Sequence, residues 1–444
     1  MFTRKELIKL IIPLIIEQIL AVTVGMADGI MVASVGEAAV SGVSLVDSIN
    51  FLLIGLFAAL ATGGAVVSAQ YLGHKEKKNA CIAGEQLIAS TAFLSIVIMV
   101  IALIFKNTLL SLLFGDVEPQ VMAYSQTYFF YSALSYPFLA IYNACAALFR
   151  SMGNSKISMK TSLFMNAINI TGNAIFIYLL NMEVAGAAIA TLISRIFAAL
   201  VMLILIRKKE YPIHIQRLRD FKLKPTMIAR ILKIGIPNGL ENSVFQVGKI
   251  LVQGIIAGLG TASITANSVS SNIGGVGVLP ASAIGLALIT VVGQCVGAAD
   301  YDAVKYYTKK LLKITYIFMV IVNALIIVLI PVILKLYNLS EETAGIASGL
   351  LIYHCVLATF IWPLSFALPN ALRAANDVKF TMWVSMISMW LWRIGTSFVL
   401  VKFVGMGVLG VWIAMTIDWF FRSIFFVIRF KQEKYRTMSI LGDG

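Results

Sequence analysis

The chain reads as a succession of about twelve apolar runs, each long enough to cross a bilayer as a helix. They fall near residues 7–35, 45–71, 84–105, 121–149, 158–180 and 186–206, then 228–259, 269–297, 310–334, 345–372, 380–401 and 405–429. A helix needs about 20 residues at ~1.5 Å each to span the hydrocarbon layer. Strands of a membrane barrel would instead alternate polar and apolar residues over about ten positions. The runs therefore predict an all-α membrane protein. Composition agrees: 59% of the 444 residues are hydrophobic and 13% charged, against roughly 45–50% and about 25% in soluble domains.

The net charge of +14 is a matter of topology. Basic residues gather in alternate connections: Arg4, Lys5 and Lys9; Lys75, Lys77 and Lys78; Arg150, Lys156 and Lys160; Arg207 to Lys233; Lys305 to Lys313; Arg373 and Lys379; Arg429 to Arg436. The opposite connections hold Lys106, Lys335 and Lys402, with acids such as Glu37, Asp116 and Glu183. By the positive-inside rule both termini are cytoplasmic, and the basic residues imply no nucleic-acid partner. The first run carries acids and lacks a small-residue cleavage site, so it is expected to stay as a helix. Four scattered cysteines without a C-x-x-C and three isolated histidines support neither a disulfide nor a zinc site. No cofactor is expected. Short loops suit a prokaryotic plasma membrane, with a monomer in contact with membrane lipids.

The two halves repeat. Lys9 and Lys233, Pro13 and Pro237, Glu17 and Glu241, Gly36 and Gly260, Gln70 and Gln294, and Gly186 and Gly410 all stand 224 residues apart. Six spans per half is even, so the halves share one orientation and are related by an axis along the membrane normal. This predicts an N-terminal six-helix lobe (1–206), a cytoplasmic linker (207–227), a C-terminal six-helix lobe (228–430) and a cytoplasmic tail (431–444). Such an arrangement is a transporter's.

Polar residues inside the runs mark candidate functional positions. Glu17 and Asp28 lie eleven residues apart in the first run, about three turns, and so share one stripe. An ionised carboxylate in a span costs a few kcal/mol, so acids on one stripe read as lining a polar pathway. Glu17 and Glu241, each four residues after a proline, serve either as cleft or proton-relay acids or structurally, as caps of the polar groups their prolines free or as partners of a lysine. Asn242, Gln246, Lys249 and Gln253 form a polar stripe on the seventh span. Ser162, Asn166, Asn169 and Asn173 form another on the fifth. Both should face protein or water, as cavity lining or as interhelical hydrogen bonds worth ~0.6 kcal/mol on average. Asp418 and Arg422, four apart, are expected to pair with each other. Arg195 and Arg393 have no evident partner.

Several segments resemble the multidrug and toxic compound extrusion (MATE) transporters. They are Val24 to Val32 (VGMADGIMV), Gly36 to Val40 (GEAAV), Ala65 to Gly73 (AVVSAQYLG), Ala147 to Lys156 (ALFRSMGNSK) and Gly186 to Ser194 (GAAIATLIS). The resemblance runs over essentially the whole chain. It implies two six-helix bundles that open alternately to each side of the membrane. Amphipathic or cationic drugs and toxins leave in exchange for inward H⁺ or Na⁺. It implies that Asp28, the acid of the first helix, couples the cation or proton, with Asn169 and Asn173 on the fifth helix and Thr191 on the sixth beside it. Na⁺ at Asp28 is the one metal ion it admits. Some members have an acid where this chain has Asn173, so H⁺ and Na⁺ both stay open. Others have one where it has Phe245, and the run 345–372 holds no carboxylate either, so a coupling site like theirs is not expected in the second lobe. Other readings weighed are a flippase for lipid-linked oligosaccharide, whose cavity would need several cations, and a membrane-embedded enzyme or receptor.

Overall fold

The computed structural model describes residues 2–115, 117–215, 222–337 and 339–438. Asp116, the middle of the expected linker and the last part of the expected tail lie outside them. The described residues are helical, with no strand among them. In chain order the helices are α1 (Arg4–Ala33), α2 (Glu37–Gly73), α3 (Lys77–Ile104), a short α4 (Lys106–Phe114), α5 (Pro119–Ser151), α6 (Ser155–Asn173) and α7 (Glu183–Ile206). Then follow α8 (Pro225–Ala257), α9 (Thr261–Gly277), α10 (Leu279–Gly297), α11 (Tyr301–Leu336), α12 (Glu341–Trp362), α13 (Leu368–Ala374), α14 (Val378–Ser388), α15 (Thr396–Lys402) and α16 (Gly407–Lys431). π-Helical turns at Ala174–Leu179, Pro363–Ala367 and Met389–Gly395 extend α6, join α12 to α13 and join α14 to α15.

Eleven of the described helices are long and apolar enough to cross a membrane. The 33-residue α8, which carries the polar stripe, is long enough to cross but is not among those eleven. The expected run 269–297 is corrected. The helix begins earlier, at Thr261, and breaks at Val278, so that α9 and α10 are separate. Pro280 lies within the first turn of α10, where its missing N–H costs nothing, whereas inside a continuous helix it would leave a carbonyl unpaired.

Contacts divide the chain into two compact units, Phe2–Gly239 and Leu240–Gly444, with the boundary inside α8. In the first, α5 is the organising helix, packed on α2, α3 and α7, while α1 packs on α6 and α6 on α7. Its core joins Val46, Phe57, Leu110, Phe129 and Tyr136. Gly42 on α2 lets the backbones meet there: a Cβ would lie 2.9 Å from the Val121 carbonyl oxygen and from Tyr124 Cβ. Ser125 Oγ donates to the Gly42 carbonyl at 3.1 Å. Overpacking of this kind costs ~1–3 kcal/mol, so Gly42→Ala is expected to lower the thermal unfolding midpoint of the detergent-solubilised protein, as read by a thiol- or tryptophan-fluorescence melt. In the second unit α10 packs on α11 and α13, α9 on α12, and α15 on α16. One of its apolar clusters includes Ile256, Leu351 and Trp412.

Candidate functional site

In the first unit five helices bring polar side chains together. α1 carries Asp28 close to its C-terminal end. α6 contributes the stripe Ser162, Asn166, Asn169 and Asn173, all buried, so that face meets protein rather than lipid. Asn173 Nδ2 donates to Asp28 Oδ1 at 2.5 Å, and Asn169 Nδ2 donates to Thr191 Oγ1 on α7 at 3.0 Å. The carbonyl oxygens Oδ1 of Asn169 and Asn173 remain buried without a hydrogen-bond donor. The four residues singled out in the sequence thus form two adjoining pairs, with two neutral oxygens left over and one carboxylate. Asn173 closes α6 where the π-helical turn begins. Such turns often occur where a helix must re-aim its side chains.

Sequence reasoning missed the second acid of this group. Asp47 on α2 accepts from Asn50 Nδ2 at 3.1 Å and is hydrogen-bonded by Tyr128 on α5. Asn50 Oδ1 in turn accepts from the Tyr136 hydroxyl at 2.9 Å. Arg195 on α7 donates to Ser135 Oγ at 2.6 Å and lies within electrostatic reach of both Asp28 and Asp47. Two carboxylates facing one guanidinium leave the group one negative charge when both acids are ionised. A single proton or monovalent cation balances it. The available signal was Asp47 itself, an acid inside an apolar run. Position 271, its repeat equivalent, is Ser271, just as Val252 stands opposite Asp28.

Glu17 lies apart from this group. It pairs with Arg150 Nη1 at 3.5 Å and accepts from Ser158 Oγ at 2.9 Å. Nor does it serve the carbonyls freed by Pro13. Ser155 Oγ reaches Lys9 O at 3.3 Å and Leu10 O at 2.6 Å, and Lys9 O is the one a proline at position 13 cannot bond. Glu241 repeats the ion pair in the second unit, taking Arg373 Nη2 at 2.7 Å and Arg422 Nη2 at 3.6 Å.

The expected Asp418–Arg422 pair is corrected. Asp418 pairs with Arg393 at 3.7 Å and accepts from Ser388 Oγ at 2.5 Å, while Arg422 turns to Glu241 and stacks 4.4 Å over Phe366. Partners on neighbouring helices outcompete the i, i+4 neighbour. The α8 stripe is more open than that of α6. Asn242 and Gln246 are half-buried, and Lys249 and Gln253 are exposed. Gln253 accepts from Asn267 Nδ2 at 3.3 Å, and Lys249 Nζ stands 5.1 Å over its own helix neighbour Phe245.

A model of the family described as MatE matches residues 13–175 and again residues 237–399. The chain belongs to the MatE family. Its two matched segments are offset by the same 224 residues as the repeat read from the sequence. MatE proteins are transporters, not enzymes, and need no cofactor. Among similar proteins is the "Uncharacterized transporter YisQ" of Bacillus subtilis, 26% identical over 427 residues, covering 95% of this chain and 92% of that protein. A "Probable multidrug resistance protein NorM" of Thermotoga maritima is also 26% identical, covering 99% and 94%. The fold matches a solved structure, the "outward-facing conformation of a multidrug resistance MATE family transporter of the MOP superfamily", with a TM-score of 0.90 at 21% identity, covering 98% of this chain and 96% of that one. This MatE chain is therefore a multi-pass membrane transporter of small molecules.

Proposed function

We propose that the protein is an antiporter in a prokaryotic plasma membrane, exporting amphipathic or cationic drugs and toxins against an inward flow of H⁺ or Na⁺. The observation that carries this reading is the Asp28 group. It combines a half-buried carboxylate, two donor-free amide oxygens, the Thr191 hydroxyl and one unbalanced negative charge. Hard monovalent cations favour all-oxygen surroundings of this kind, and so does a carboxylate that takes up and releases a proton. Ion binding at Asp28 alters what α1 and α6 contact and so biases the lobes 1–206 and 228–430 between inward and outward opening. Both termini face the cytoplasm in this scheme, and the protein works as a monomer. Glu17 and Glu241, each held by an arginine, belong to the scaffold.

Ethidium efflux from vesicles, started separately by a pH gradient and by a Na⁺ gradient, tests the reading and names the ion. Efflux under one gradient supports it, and efflux under neither removes it. Thr191→Val gives a finer test. Removing one oxygen contact of ~1.4 kcal/mol weakens ion binding about tenfold. The ion concentration for half-maximal efflux should rise by that factor, with the unfolding midpoint lowered as well because Asn169 Nδ2 loses its acceptor. An unchanged half-maximal concentration would take Thr191 out of the ion site.

A further inference from the structure

The second unit holds a group of basic side chains that the ion site does not use. Lys249 Nζ, Arg393 Cζ and Arg422 Cζ lie 5.1, 5.3 and 6.0 Å from the centroid of the Phe245 ring. Arg373 joins the group through Glu241. Against these four cations stand two carboxylates, Glu241 and Asp418. An aromatic face attracts cations but carries no net charge, so although Arg393 pairs with Asp418 and Arg422 with Glu241 the group keeps a surplus of positive charge.

The donors show the same deficit. Arg373 Nε, Arg393 Nε, and Arg422 Nε and Nη1 are buried with no acceptor, and these unpaired donors outnumber the unpaired buried acceptors of the group, Glu241 Oε2 and Asp418 Oδ2, although buried polar groups are ordinarily hydrogen-bonded. Lys249 is exposed and has no carboxylate within ion-pair distance among the described residues. A ligand can therefore reach it. The polarity is opposite to that of the Asp28 group.

We propose that this cluster binds the acidic head of an amphipathic organic anion, with Lys249 and Arg393 facing the head and Phe245 and Phe366 facing the apolar body. The assignment of that anion as cargo rests on the exporter reading and sharpens it. Beside the buried arginines Arg373 and Arg422 a surplus of positive charge disfavours an amphipathic cation and is relieved by an anion. The sulfonate, carboxylate or phosphate supplies the missing acceptors, and the aromatic rings supply the contact area.

Equilibrium binding to the full-length protein in lipid nanodiscs tests this with two radiolabelled probes, taurocholate as the anion and tetraphenylphosphonium as the cation. Taurocholate is expected to bind at least about tenfold more tightly. Lys249→Gln should weaken taurocholate binding by about the same factor while leaving tetraphenylphosphonium unchanged or tighter, and Lys249→Arg should restore it. Equal affinity for the two probes overturns the assignment. So does taurocholate binding untouched by Lys249→Gln in a protein with an unaltered unfolding midpoint. Asp28→Asn should bind taurocholate normally and fail to move it. Ion-driven flux of tetraphenylphosphonium without taurocholate binding would defeat the anion site alone. Taurocholate binding without ion-driven flux of either probe would defeat the exporter reading alone.

Discussion

Replacing Asp28 by Asn is expected to reduce ion-driven extrusion to the level of vesicles without the protein, while expression and membrane insertion persist. The substitution keeps the size of the side chain and an oxygen for the Asn173 donor that now sits at 2.5 Å. It removes the charge that leaves the group with Asp47 and Arg195 one unit negative. With Asn at position 28, Asp47 and Arg195 balance each other, and neither a proton nor a monovalent ion is needed. An ionised carboxylate inside a span costs a few kcal/mol, so the variant should melt no lower than the parent. A low-melting variant would mean that Asp28 is part of the scaffold. Undiminished resistance in cells expressing the variant would remove Asp28 from coupling altogether.

The second large effect concerns stability. In Glu241→Gln, Arg373 and Arg422 lose the carboxylate they hold at 2.7 and 3.6 Å, with side chains only 11% and 3% exposed. Breaking a buried pair from one side costs about 3–5 kcal/mol, because the remaining charge has no counter-ion. The unfolding midpoint in detergent should fall by roughly 5–10 °C. Removing the cation as well, in Glu241→Gln/Arg373→Gln, should recover part of the loss. Glu17→Gln should cost less, since its pair with Arg150 is longer at 3.5 Å and Ser158 Oγ still has an acceptor. Equal melting of the Glu241 and Glu17 variants would contradict this account of the duplicated pair.

The sequence made the spans, the helical class and the repeat legible because each is carried by regular spacing. Apolar runs have a minimum length, and duplicated prolines and glutamates keep their offset through any drift in the residues between them. The break at Val278 was hidden because an apolar run looks the same whether its helix is continuous or interrupted at Pro280. Asp28, Asn169 and Asn173 could be singled out because polar groups in an apolar run are costly. What they touch could not be read from spacing, since their partners lie on other helices. Asp47 was passed over near the start of its run, although Asn50, Tyr128 and Arg195 make it part of the same group. The Asp418–Arg422 expectation failed for the related reason that a rule for isolated helices ignores Arg393 and Ser388 alongside.

The most direct test of coupling at Asp28 runs the cycle backwards. Coupling is reciprocal, so a substrate gradient must be able to drive the ion. Proteoliposomes carrying a pH-sensitive or Na⁺-sensitive dye inside receive an outward substrate gradient and no ion gradient. The wild-type protein is predicted to draw H⁺ or Na⁺ inward as substrate leaves, and Asp28→Asn to leave the dye signal flat. Substrate efflux from wild-type vesicles with no movement of either ion, or the same ion influx in Asp28→Asn, would contradict the account.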